Sequence, residues 1–223
     1  MGGGTLMSEH NIFNPNYIEN YKPNLFSWEE FAYLINIRPL MTTGRVNICV
    51  PYRMKMGWKR TNWTLDPNTI PPTLLRTCIE GHLVNLVDMS RATEKINAFC
   101  KELEDEYQLQ TDAHIFSCRN TNIPHPFGAH FDQSHNVIVQ CEGETNFKVW
   151  DAVTDLDQQP NQMVIEEDPI LDVLMKPGDA IWIPVLHPHL ATSKTPRLSV
   201  SFPIWPHSSL EQASEDRTWV DFN

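Results

Sequence analysis

From residue 113 to residue 204 the chain breaks into short apolar runs separated by Gly, Pro and Asp/Asn turns, and that rhythm constrains the fold more than any other feature. The runs fall at 113–118, 127–132, 135–141, 146–151, 171–175, 180–184, 189–192 and 197–204. Most are too short for helices and rich in Val, Ile and Phe, so they read as strands. Eight short strands with tight turns predict a mainly β fold, a double-stranded β-helix or jelly roll. The 17 prolines, many of them in turns between these runs, favour the same architecture.

The segment before residue 113 has a different rhythm. Ser27-Trp28-Glu29-Glu30 is a capping box that opens a helix through about Ile37. Val46–Val50 alternates as a strand does. A helical turn begins at Leu74-Leu75 and ends near Gly81, and His82–Asp88 reads as another strand. Ser90 then caps a helix to Tyr107, whose stripe of Ile96, Phe99, Cys100, Leu103 and Tyr107 packs outside the barrel. The expected organisation is one domain over 1–223: an N-terminal arm at 1–25, a helix-containing flank at 26–112, the barrel core at 113–204 and a tail at 205–223.

A net charge of −11 disfavours phosphate backbones, so nucleic acid is not the expected partner. No run of 18 apolar residues is present and the first residues lack a basic-then-apolar leader, so no membrane partner is expected. Five cysteines, an odd count with no CxxC pair, fit reduced thiols and a cytoplasmic location, with Cys141 a packed thiol. The acidic residues Asp151, Asp155 and Asp157 read as a solvated loop. Arg53, Lys55, Trp58, Lys59, Arg60 and Trp63 form a basic, aromatic stretch in an acidic chain. It reads as a solvated loop anchored by its tryptophans or, alternatively, as a recognition surface.

The chemistry concentrates at Gly128-Ala129-His130-Phe131-Asp132-Gln133. On a strand, residues i and i+2 share a face, which sets the His130 imidazole beside the Asp132 carboxylate. Downstream, a Pro177-Gly178-Asp179 turn leads through Ala180–Pro184 to His187-Pro188-His189. Two imidazoles and one carboxylate form the facial triad of non-haem Fe(II) sites, with positions left open for other ligands. His187 and His189 are both candidates for the third place. His125, His135 and His207 read as loop or surface histidines.

The stretch from Phe116 to Phe202 resembles the JmjC and cupin-like family of 2-oxoglutarate oxygenases, nearest the ribosomal-protein and asparaginyl hydroxylase branch. The residues that carry the resemblance are Phe116-Ser117, His130-Phe131-Asp132-Gln133, Val137-Ile138-Val139-Gln140, Gly143, Phe147 and Trp150, followed by Pro177-Gly178-Asp179, Ile183-Pro184, Pro188-His189 and Ser199–Phe202. The resemblance implies a cupin-like barrel with flanking N-terminal helices. It also implies Fe(II) held by His130, Asp132 and His189, with His187 the alternative. Its co-substrate would be 2-oxoglutarate. Asn136 would lie near metal and co-substrate, and Trp182, Phe116 and Phe131 would provide apolar walls. The implied activity is a dioxygenase that hydroxylates an unknown substrate, a protein side chain or a small molecule. A homodimer is compatible with such barrels.

The match departs at one position. The family's Lys or Arg for the distal carboxylate aligns with Thr145, and neighbouring Lys148 falls on the outward parity. Arg197-Leu198-Ser199 resembles the Arg-x-Ser element by which other branches grip that carboxylate, making Arg197, Ser199 and Thr145 the expected co-substrate contacts. The departure leaves an alternative open: a non-catalytic or differently acting metal-binding cupin that does not use 2-oxoglutarate.

Overall fold

The computed structural model describes residues 12–37, 45–54, 57–65, 72–121, 127–154 and 161–205. Among the described residues there are three helices and thirteen strands: β1 (Asn16–Ile18), α1 (Trp28–Ile37), β2 (Arg45–Met54), β3 (Gly57–Leu65), α2 (Pro72–Gly81), β4 (Leu83–Val87), α3 (Glu94–Tyr107), β5 (His114–Cys118), β6 (Ala129–His130), β7 (His135–Glu142), β8 (Thr145–Val149), β9 (Asn161–Met163), β10 (Leu171–Met175), β11 (Ala180–Ile183), β12 (His189–Ser193) and β13 (Arg197–Ile204). They form an eight-stranded sheet in the order β1-β11-β7-β13-β5-β4-β2-β3 and a five-stranded sheet in the order β10-β8-β12-β6-β9. This is the jelly-roll arrangement anticipated from the turn rhythm.

Alternation along the central strands builds two cores. On β13, Leu198, Val200, Phe202 and Ile204 point to the outer face, where they meet Phe31 and Leu34 of α1 and Ile96, Phe99 and Leu103 of α3. Phe99 and Phe202 touch edge to face, 4.8 Å between ring centres. A residue buried like Phe99 contributes about 3–5 kcal/mol relative to alanine. The inner core joins the two sheets through Ile138, Phe147, Val149, Met175, Ile181 and Ile183. The alternate residues of β13, Arg197, Ser199 and Ser201, turn inward to a cavity. One strand therefore serves the core with one face and the site with the other.

Several expectations change in detail. The cap of α3 is Thr93, not Ser90: its side chain accepts from the Ile96 N–H at 3.2 Å. The Ser90 N–H instead donates to Asp112. Residues 51–54 and 57–65 are not loop but strand, since β2 and β3 pair antiparallel from Val46↔Leu65 to Met54↔Gly57. Lys55 lies outside the described residues. The arm contributes β1, paired with the β11 edge. Trp182 is buried on the outer face, away from the cavity, with its indole N–H donating to the Tyr107 hydroxyl at 3.1 Å. It packs edge to face on Tyr21. No helix among the described residues is long and apolar enough to cross a membrane.

The Pro-Gly-Asp turn is a clasp. Gly178 has φ +96°, which only glycine adopts without strain. The buried Asp179 carboxylate accepts from the Lys176 N–H at 2.8 Å, the Asn20 N–H at 2.9 Å and the Tyr17 hydroxyl at 2.7 Å. The turn thus fastens the arm to the barrel. Burial, and then Asp179, push the Tyr17 pKa above the usual phenol value, so the hydroxyl remains a donor.

Candidate metal centre and cavity

The short strand β6 presents His130, and β12 begins at His189 directly opposite it in the antiparallel register. The two imidazoles lie 4.3 Å apart between centres. Asp132 comes just after β6 ends, so the strand-parity argument that joined it to His130 does not apply. A loop contact sets its place instead: its carbonyl accepts from the Leu186 N–H at 3.1 Å. Its Oδ2 lies 3.7 Å from His189 Nε2. One ligand atom from each of His130, Asp132 and His189 falls within 4.8 Å of the others.

Backbone acceptors select the imidazole tautomers. His130 Nδ1 lies 3.1 Å from the Gly128 carbonyl, and His189 Nδ1 lies 3.1 Å from the His187 carbonyl. With Nδ1 donating, each ring keeps the Nε2 lone pair for a metal. Phe127 stacks on His130 at 5.4 Å and supports its plane. Two neutral nitrogens and a carboxylate, with no thiolate among them, suit a redox-active divalent ion and not a closed structural zinc site.

His187 is absent from this cluster. Sharing odd parity with His189 does not put it on the strand, because 184–188 form a turn in which Leu186 sits at φ +65°. His135, expected at the surface, is buried, and its Nδ1 accepts from the Val185 N–H at 3.2 Å. Burial lowers its pKa, partly opposed by a hydrogen bond to the Ile12 backbone. His135 thus braces the turn that delivers His189. His125, His207, Asp155 and Asp157 lie outside the described residues. Asp151 is exposed, and Cys141 is a buried free thiol.

Asn136, on β7, links the metal cluster to the sheet. Its Nδ2 donates to Asp132 Oδ2 at 2.9 Å, and its Oδ1 accepts from the Ser201 hydroxyl at 3.1 Å. Alternation from Arg197 and Ser199 would have singled out Ser201 as well, but sequence reasoning stopped at Ser199.

The cluster opens on a cavity of about 440 Å³. Phe116, Phe131 and Phe147 are among its apolar walls, and Asn136, Arg197 and Ser199 line it. Arg197 is 3% exposed. Burial lowers its pKa to about 10, against a smaller opposite effect from Cys118, so it is cationic at neutral pH. Thr145 is fully buried on the inward parity of β8 but does not line the cavity. Lys148 points outward to Asp172 at 3.4 Å. Sequence reasoning missed Asn85, His114, Phe127 and Trp205, which also line the cavity. Asn85 did leave a signal, as the one amide inside the apolar strand Leu83–Val87.

The chain is 21% identical over 126 residues to a bifunctional lysine-specific demethylase and histidyl-hydroxylase NO66 of Drosophila persimilis, covering 54% of this chain and 18% of that protein. The homologous protein of Drosophila willistoni is 20% identical over 157 residues, 64% of this chain and 20% of the relative. The chain therefore spans about a fifth of the length of these relatives. Among solved structures, the ribosomal oxygenase YcfD of Escherichia coli superposes with a TM-score of 0.64 at 16% identity, over 92% of this chain and 52% of that one. The same protein in complex with cobalt and 2-oxoglutarate superposes with a TM-score of 0.62. At that identity the likeness establishes the fold. A family model described as the JmjC domain matches residues 91–211, more than half the sequence, and the chain belongs to the JmjC domain family.

Proposed function

We propose that the protein is an Fe(II)- and 2-oxoglutarate-dependent hydroxylase acting on a protein side chain. The reading is carried by one observation: the cluster of His130, Asp132 and His189 opens on the same cavity that holds the buried cation Arg197. His130 Nε2, His189 Nε2 and an Asp132 oxygen would hold Fe(II). When bound, the iron supplies the site at which O₂ is reduced while 2-oxoglutarate loses CO₂. The reaction balances as substrate C–H, 2-oxoglutarate and O₂ giving substrate C–OH, succinate and CO₂, with one oxygen atom entering each organic product.

The chain's own residues bind and orient. Arg197 presents a guanidinium fork to the distal carboxylate of 2-oxoglutarate, and Ser199, two residues on and lining the same wall, adds a hydroxyl. Such a pair needs no cation at Thr145. Asn136 fixes the Asp132 carboxylate. Phe116, Phe131 and Phe147 keep the wall apolar and exclude water from the reacting centre. The protein-substrate reading is supported by the activities named for NO66 and by the name of the ribosomal oxygenase YcfD.

The test is succinate release from Fe(II)-loaded protein given 2-oxoglutarate, O₂ and ascorbate, beside His130→Ala and Arg197→Ala. Loss of turnover in both variants supports the assignment. Turnover that survives Arg197→Ala alone moves the carboxylate grip elsewhere. Tight metal binding with no 2-oxoglutarate binding would favour the non-catalytic cupin, the reading that the neutral Thr145 keeps open.

A further inference from the structure

The last strand of a sheet turns half of its backbone donors and acceptors away from its only neighbour, and an open, regular edge of this kind accepts a further strand. The five-stranded sheet ends on one side in β9, three residues long, and on the other in β10, five residues long. Among the described residues β10 pairs with β8 alone, from Leu171↔Val149 to Met175↔Thr145 without a bulge, and it holds no proline.

The pairing of β8 decides which groups of β10 face outward. The Trp150 N–H donates to the Pro188 carbonyl at 2.9 Å, and the Glu144 carbonyl accepts from the Lys194 N–H at 2.9 Å, so the even-numbered residues of β8 bond towards β12. Its odd-numbered residues then bond towards β10, where Leu171, Val173 and Met175 return those bonds. Asp172 and Leu174 thus turn their N–H and C=O groups to the open side. Their side chains share the outer face of the sheet, where Asp172 is exposed and Leu174 is 43% exposed. Lys176, also exposed, continues the row, and its own N–H is taken by Asp179 at 2.8 Å.

The row Asp172, Leu174, Lys176 is complementary to itself. Set antiparallel to a second copy about a two-fold axis through Leu174, it brings Leu174 against the partner's Leu174 and Asp172 against the partner's Lys176, on both sides of the axis. Opposite charges facing one another across two strands stabilise the pair, and like charges destabilise it. An axis one residue earlier, through Val173, would set Asp172 against the partner's Leu174 and lose both ion pairs. The Asp172 carboxylate accepts from Asn146 Nδ2 at 2.7 Å and lies 3.4 Å from Lys148 Nζ, contacts on its own sheet that hold it on the outer face. The backbone agrees with the axis through Leu174. There Leu174 exchanges both hydrogen bonds with the partner's Leu174, and each Asp172 N–H reaches the carbonyl of the partner's Lys176.

We propose that β10 is a homodimer interface: two copies pair antiparallel through this strand about a two-fold axis at Leu174, and their five-stranded sheets join edge to edge. No residue of β10 lines the cavity, so the interface stands independently of the hydroxylase reading.

Sedimentation velocity on the full chain tests this, over about 1 to 100 µM so that the mass can follow concentration. Wild type is expected to rise from 25.8 kDa towards twice that mass. Asp172→Lys alone and Lys176→Asp alone each set like charges across the axis and should weaken the dimer at least about tenfold. An equimolar mixture of the two variants faces each altered charge with its opposite and should dimerise again. A wild type that stays monomeric throughout, a dimer that neither variant weakens, or a mixture no better than the variants alone overturns the proposal. Thermal melts show whether each variant folds. If a charge variant does not, Leu174→Lys decides in its place: it sets two lysines at the axis, and a dimer that survives it overturns the proposal.

Discussion

His130 and His189 are direct partners in the pairing of β6 with β12, their rings are 4.3 Å apart, and one ligand atom of each falls within 4.8 Å of the Asp132 carboxylate. His187, two residues earlier, sits in a turn, and its Nδ1 donates to the Val185 carbonyl 3.2 Å away. The two candidates for the third ligand position should separate cleanly. His189→Ala is expected to reduce Fe(II) or Co(II) affinity by at least a hundredfold, and His187→Ala by less than about threefold. Titration calorimetry on the metal-free protein measures both. A large loss in His187→Ala with little in His189→Ala would reverse the assignment.

Asn136 makes a separate demand on the same centre. It holds Asp132 Oδ2 and is itself held by Ser201. Groups that orient a ligand typically affect metal affinity by 10–100-fold. Asn136→Ala should weaken metal binding within that range, and Ser201→Ala should weaken it less. The same titration applies, with a thermal melt of the metal-free protein showing whether the fold survives. Unchanged affinity in Asn136→Ala would mean that Asp132 is positioned by its backbone contact to Leu186 alone.

The fold was legible because alternation and turn residues are local signals. The eight runs after residue 113 all contain strands, and the apolar stripe of α3 faces the sheet as its spacing requires. What the sequence concealed depends on contacts between distant segments. Asp132 reaches the cluster through a contact to Leu186, 54 residues later by number, and not through strand parity. His135 has the same composition signal as a surface histidine, and only the neighbouring Val185 N–H and Ile12 backbone explain its burial. Trp182 alternates onto the outer face, so its size suggested a cavity wall that its parity denies. The β2–β3 hairpin was obscured by its polar and basic residues, which carry little apolar periodicity.

Asp179 shows how much of a recurring motif can be mechanical. Its carboxylate serves three donors, two of them from the N-terminal arm. Asp179→Ala should therefore lower unfolding stability by about 2–4 kcal/mol, since buried donors are left unsatisfied. Urea denaturation should show a lower midpoint with an unchanged slope. Tyr17→Phe removes only one of the three bonds and should cost about 1 kcal/mol. A stable Asp179→Ala protein would mean that the β1–β11 pairing, the Lys22 N–H bond to the Gly178 carbonyl and the buried Leu25 and Phe26 suffice to hold the arm.

His135 gives the fold a pH dependence of known sign. Burial lowers its pKa in the folded state, so the unfolded chain takes up a proton more readily. The stability owed to the neutral imidazole is complete above the unfolded value of about 6.5 and is lost as the pH falls from there through the lower folded value. Protonation also removes the Nδ1 lone pair that accepts from the Val185 N–H, loosening the turn before His189. Urea midpoints measured at pH 7.5, 6.5 and 5.5 should therefore decline with falling pH. His135→Gln keeps an acceptor but cannot titrate, so it should show a shallower decline over the same window. Parallel slopes in wild type and His135→Gln would assign the acid sensitivity to other groups.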